Sequence, residues 1–138
     1  MRSQPFPDQL EVSVEVPRFG FIKRDHAGHI DFVSPVPCPF NYGSVPGTLA
    51  ADGDPEDVVL LGKRLAVGSR VRARVLGRVR FVDAGHEDPK WICGDAPLSA
   101  RERWHIELFF FAYSHAKRLL NVLRGRSFGT HFAGIELR

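Results

Sequence analysis

Three carboxylates stand at i, i+2 and i+5 in the segment Asp52-Gly-Asp-Pro-Glu-Asp57, with a glycine and a proline turning the backbone between them. Such a turn lets all three acids aim at one point, where without a counter-charge they would repel one another. A hard cation such as Mg²⁺ relieves that repulsion. It accepts one or two carboxylates, keeps several waters and leaves positions for phosphate oxygens. Taken alone, the segment is more often a solvated acidic turn. A second acidic stretch, Asp83-Ala-Gly-His-Glu-Asp88-Pro-Lys90, adds more acids and a lysine, and alone it too reads as a surface loop. Around these two stretches come Glu15, Lys23, Asp25, Asn41-Tyr42-Gly43 and Tyr113, residue types that bind cations or phosphates. His86 lies in the second stretch, but no second histidine is spaced to make a transition-metal site with it.

The charge balance fits a cation and a polyanion. The formal net charge is +3 and the isoelectric point is near 9.2, which invites nucleic acid, yet the acids gather in the two short stretches. Two cysteines, Cys38 and Cys93, give neither a disulfide framework nor a zinc spacing. No apolar run approaches the roughly 20 residues needed to cross a bilayer, and no secretory leader stands at the start. A reducing cytoplasm and no membrane span are the expectations.

The elements that must position these residues follow from periodicity. Residues 1–9 read as an arm on a single domain covering 1–138. Leu10, Val12, Val14 and Val16 alternate with polar residues as a strand, and Asp25 to Gly28 reads as a turn into Ile30 to Val33. Ser34 to Tyr42, with its prolines, reads as an irregular loop, and Asp57 to Leu61 as a short buried strand. From Arg70 to Phe81 apolar residues hold odd positions and arginines even ones, a long strand bent at Gly77 with five arginines on one side. Ser99 and Glu102 form a capping box for a helix to Arg124, stopped by Gly125, whose helical spacing runs through Trp104, Leu108, Phe111, His115, Leu119 and Val122. Trp104, Phe109, Phe110 and Phe111 are expected in the core, with Phe110 also offered to a subunit contact. The remainder is a short tail. The fold class is mainly β with one helix, a small barrel packed by the C-terminal helix.

Asp-Gly-Asp-Pro-x-Asp, present whole as Asp52 to Asp57, resembles the central signature of the soluble inorganic pyrophosphatases. The likeness runs from about Glu11 to Tyr113. Val14-Glu15-Val16-Pro17 looks like the family's first active-site strand, and Lys23-Arg24-Asp25 like its Lys-x-acid element. Asn41-Tyr42-Gly43, the segment Asp83/Asp88/Lys90, and Phe109 to Tyr113 match in turn. The resemblance implies Mg²⁺-dependent hydrolysis of pyrophosphate on a five-stranded barrel of the oligonucleotide-binding type, in a shortened, divergent member. It would give Asp52, Asp57, Asp83 and Asp88 to the metal and make Asp54 the base for a metal-bound water. Lys23, Tyr42, Lys90 and Tyr113 would hold phosphate oxygens, with Glu15 behind them orienting water. Homo-oligomers are usual in the family, through histidines on the helix whose places here hold Leu108 and Ala112.

The pattern also breaks. Residues 26–40 hold no arginine where the family has one, Cys38 replaces the tyrosine of a Tyr-Pro element, Ser114 replaces a lysine after the helix tyrosine, and Ala84 replaces a second acid. Lys117, one turn on, could compensate. A working enzyme with altered substrate use and a metal-binding pseudoenzyme both follow. A third reading is a single-strand-binding barrel using the Arg70 to Arg80 face, which lacks the interleaved aromatics such surfaces carry.

Overall fold

The computed structural model of the chain describes residues 5–24, 29–33, 36–50, 53–125 and 129–138. Alternation at residues 10–16 gives β1 (Gln9–Val16), followed by β2 (Ile22–Arg24) and β3 (Ile30–Val33), which pair with each other. The turn expected between them, residues 25–28, lies outside the described residues, as do Asp52 and Ser34. Next come β4 (Asn41–Ser44), β5 (Asp57–Leu60), β6 (Arg70–Asp83), β7 (His86–Glu87) and β8 (Lys90–Gly94). A helix, α1 (Ala100–Leu123), and a last strand, β9 (His131–Leu137), complete the order.

β1 pairs with β4, β4 with β5, β5 with β8 and β8 with β6, and β6 returns to pair with β1. Five strands therefore close into the expected OB-like ring, which leaves no open edge between β1 and β6. Asn41 and Tyr42, expected in a loop, begin β4 instead. The tail was also not expected to pair: β9 runs antiparallel to β6 from Gly77↔Leu137 to Val82↔His131. Gly134, at φ 106°, interrupts the period-two pattern by which that strand would be recognised.

Both faces of the ring are buried. Val12, Val14, Val58, Leu60, Ala73, Val75, Trp91 and Cys93 fill one cluster, enclosed by the strands. Val16, Tyr42, Val59, Val79, Phe81 and Ile92 form the other, against Ile106, Phe109 and Phe110 of α1. Val75 and Val79 fall in different clusters because the β6–β8 register passes from Val75↔Cys93 to Gly77↔Ile92, skipping Leu76. A one-residue slip exchanges the faces of everything after it. Arg78 is thereby turned inward. It is 6% exposed, sits over the rings of Phe6 and Trp91, and pairs with Glu136 at 2.8 Å. Arg78 and Arg80, beyond the slip, thus leave the side shared by Arg70, Arg72 and Arg74, while Arg70 pairs with Glu11 and Arg72 with Gln9.

The capping box forms as read, with Ser99 Oγ accepting from the Glu102 N–H and Glu102 Oε1 from the Ser99 N–H, both at 3.1 Å. The helix ends before Gly125, at φ 69°. Its inward face differs from the stripe expected. Ile106, Phe109, Phe110, Ser114 and Asn121 are buried, whereas Trp104, Leu108, Phe111, Leu119 and Val122 are exposed. Two apolar stripes share this helix, and spacing alone does not say which one meets the sheet. Phe110 wins because it stacks on Phe40 and Phe132 and packs against Phe81, an aromatic cluster buried to 0% exposure at Phe110 itself. It is core and offers nothing to a subunit contact.

Candidate functional site

Asn41 anchors the first side of the site. Fully buried, it accepts from the Arg18 and Leu65 N–H groups at 3.0 and 2.9 Å and donates to the Lys63 carbonyl at 2.8 Å. Each of these three bonds ties a loop to the start of β4, which fixes the adjacent Tyr42. Gly43 completes the segment for a steric reason: a Cβ there would lie 2.1 Å from the Ser13 carbonyl oxygen on β1. Only glycine permits that approach.

Register then gathers the charges. The parallel pairing of β5 with β8 sets Asp57 beside Lys90, and antiparallel pairing sets Tyr42 beside Val59, two residues along from Asp57 on the same face. The Lys90 ammonium, 2% exposed, donates to Asp57 Oδ2 at 2.8 Å and to Asp88 Oδ2 at 2.7 Å. Lys23 Nζ lies 3.6 Å from Asp57 Oδ1 and 4.0 Å from Glu15, above the Tyr42 ring. Burial pushes the Asp57 carboxyl up, but Lys90 and Lys23 outweigh it and hold the group below its ordinary value. Burial likewise pulls the Lys90 ammonium down, and Asp57 and Asp88 more than reverse this. Burial together with the Asp57 carboxylate raises the Tyr42 phenol, which hydrogen-bonds Asp57.

Tyr113 joins from the helix, placed by edge-on contact with Phe81 and by packing on Phe109. Burial raises its phenol also, against the opposing pull of Lys90. Lys23, Tyr42 and Tyr113 line a mainly apolar cleft with Val16, Phe21, Cys38 and Phe109.

Asp83 stands at the end of β6. Burial raises its carboxyl, and hydrogen bonds from Asn121 and Thr130 together with the Lys117 ammonium bring it below the ordinary range. Lys117 Nζ is 3.6 Å from Asp83 Oδ2. Ser114, at the place of the missing lysine, is buried with its hydroxyl donated to the Phe111 carbonyl at 2.7 Å. Lys117 therefore supplies a cation on this side of the site. Asp54 stands exposed on the loop leading into β5, after Gly53 at φ 87°. Asn121 and Thr130 escaped the sequence reading, since a helix asparagine and a tail threonine carry no spacing signal.

Glu15, Asp57, Asp83 and Asp88 thus face Lys23, Lys90 and Lys117, an all-oxygen donor set with one carboxylate in excess. Among the described residues no three His, Cys, Asp or Glu side chains are drawn together closely enough to hold a metal ion by themselves. The donor chemistry nevertheless fits Mg²⁺, which binds through one or two carboxylates and water rather than an all-protein cage.

A family model for inorganic pyrophosphatases matches residues 12–107. The chain belongs to the inorganic pyrophosphatase family. An inorganic pyrophosphatase of Gluconobacter oxydans is 37% identical over 95 residues, covering 63% of this chain and 55% of that protein. One from Xanthomonas axonopodis pv. citri is 34% identical over 84% of this chain and 65% of its own length. The chain thus spans little more than half to about two thirds of these family members. The crystal structure of the Thermus thermophilus inorganic pyrophosphatase superposes with a TM-score of 0.76 at 27% identity, covering 99% of this chain and 86% of that one. The matched family segment contains every candidate side chain named above except Phe109, Tyr113, Ser114, Lys117, Asn121 and Thr130.

Proposed function

We propose that the chain hydrolyses inorganic pyrophosphate to two phosphates with Mg²⁺ as cofactor. The observation that carries the reading is the convergence of Asp57, Asp88 and Lys23 with Lys90, opposite charges arranged to receive both a cation and phosphate oxygens. Asp52, Asp57, Asp83 and Asp88 would share the holding of Mg²⁺ ions, which when bound would neutralise phosphate charge and acidify water. Lys23, Tyr42, Lys90 and Tyr113 bind phosphate oxygens. An ammonium has three N–H donors, so Lys90 keeps one beyond the two given to Asp57 and Asp88. Asp54 accepts the proton of the attacking water, and Glu15 orients that water. As the water oxygen bonds to phosphorus, the bridging P–O bond breaks and its electron pair leaves with the second phosphate.

The metal assignment has its own test. Asp57→Asn removes one charged ligand and not the base, so it raises the Mg²⁺ concentration needed for half-maximal phosphate release, and added Mg²⁺ recovers part of the rate. A rate loss that no Mg²⁺ concentration reduces contradicts it.

Homo-oligomerisation belongs to the same reading. Trp104, Leu108, Phe111, Leu119 and Val122 make one exposed apolar stripe along α1, and large exposed apolar patches mark interaction surfaces. Sedimentation should give a mass above 15.5 kDa, lowered towards it by Leu108→Glu with Phe111→Glu; a monomeric parent chain contradicts the assembly. Cys38 and Cys93 are buried free thiols, each pushed up by burial to about 12, and they suit a reducing cytoplasm.

A further inference from the structure

Asp83 is held by a hydrogen-bond cage built from the two elements that follow the barrel. Its Oδ1 accepts from Asn121 Nδ2 on α1 at 3.0 Å and from the Thr130 hydroxyl, at the entry to β9, at 3.1 Å. Thr130 Oγ1 in turn accepts from Asn121 Nδ2 at 2.9 Å and from the Ala84 N–H at 3.0 Å. Asn121 and Thr130 are each 1% exposed. The geometry points to Asn121 and Thr130 as positioning residues that aim the Asp83 carboxylate at the metal, an inference that rests on the assignment of Asp83 as a ligand.

Donor and acceptor inventory fixes the arrangement. A threonine hydroxyl has one proton and two lone pairs. Its partners Asn121 Nδ2 and Ala84 N can only donate, so the hydroxyl proton is left with one acceptor, Asp83 Oδ1. Both N–H groups of Asn121 are likewise spent, one on each oxygen. With Oδ1 saturated, the carboxylate cannot swing, and Oδ2 is left directed to the Lys117 side at 3.6 Å from that ammonium.

The cage is itself braced. Arg118 donates from Nε and Nη2 to the Thr130 carbonyl at 3.2 and 2.8 Å, and the Gly85 N–H donates to the Gly129 carbonyl at 2.9 Å. Ala84 sits at φ 50° and Gly85 at φ 83°, so the two-residue turn after Asp83 has both central residues left-handed. Alanine is unfavourable there, and the Thr130 bond to its N–H opposes relaxation of the turn. The C-terminal helix, which also carries Tyr113, and β9 thereby brace the site through Asn121 and Thr130, neither of which touches substrate.

The test is Mg²⁺ affinity measured by calorimetry on the purified chain, for wild type, Asp83→Asn, Thr130→Val, Thr130→Ser and Asn121→Leu. Partners that orient a metal ligand are worth about 10–100-fold in affinity. Thr130→Val keeps the shape and loses the hydroxyl, so it should weaken binding by that factor, while Thr130→Ser should bind as wild type does. In an Asp83→Asn background Thr130→Val should weaken affinity no further, a result that a merely structural role would not give. Wild-type affinity in Thr130→Val, beside weakened Asp83→Asn, overturns the positioning role alone. Unchanged affinity in Asp83→Asn removes the ligand assignment on which it rests. Should Asn121→Leu fail to fold, the Thr130 pair of variants still decides.

Discussion

Asp54→Asn is expected to lower the turnover of pyrophosphate by about 10²–10⁴-fold, the size of a single general-base contribution, with little change in Mg²⁺ affinity. Asparagine keeps the volume and one acceptor oxygen but cannot take a proton. Asp54 is exposed on its loop, so the exchange leaves the core untouched and the stability of the fold should not change. The loss is therefore chemical. The comparison that checks it is phosphate release against Mg²⁺ concentration for Asp54→Asn beside Asp57→Asn. Rescue of Asp54→Asn by Mg²⁺ to the same degree as Asp57→Asn would show that the residue holds the ion and is not the base.

Lys90→Met should destabilise the protein by about 3–5 kcal/mol, because removing one partner of a buried ion pair leaves the other charge uncompensated. Here the ammonium is 2% exposed and serves two carboxylates, Asp57 and Asp88, whose side chains are 14% and 20% exposed. The pH dependence should change with it. In the parent the lowered Asp57 contributes stability above its unfolded value near 4, lost as pH falls through the still lower folded value. The raised Lys90 contributes stability below its unfolded value near 10, lost only at higher pH. Between about pH 5 and 9 these two groups leave stability flat. Without Lys90, Asp57 keeps only Lys23 and the Tyr42 hydroxyl against its burial, so its folded value rises from that in the parent and protonation costs the folded state less. Denaturant unfolding at pH 7.5 and 4.5 should show the deficit shrinking on acidification. A deficit that is equal or larger at the lower pH would contradict the uncompensated-carboxylate account.

The barrel and the site were legible to different depths, for identifiable reasons. Alternation at Val12, Val14 and Val16 and along Arg70 to Phe81 gave the strands, since a face on a buried cluster imposes period two. The same regularity misplaced Arg78, because a bulge that shifts register at Leu76 has no mark in the alternation beyond Gly77. Capping residues marked both helix ends, but two apolar stripes of equal spacing hid which face was inward. Glu15, Lys23, Tyr42, Asp57, Asp88, Lys90 and Tyr113 lie together through ion pairs and a shared cleft. Asp83 stands beside Lys117, at 3.6 Å. Asn121 and Thr130 were invisible because their meaning lies in a contact made across 38 and 47 residues from Asp83.

The central claim is pyrophosphate hydrolysis, and the measurement that bears on it most directly is phosphate release by the purified chain with pyrophosphate and Mg²⁺ in excess. The expected result is two phosphates per pyrophosphate consumed, with release abolished by EDTA and restored by added Mg²⁺. Release no faster than a protein-free control at saturating Mg²⁺ and pyrophosphate, from a chain that is folded, would contradict it.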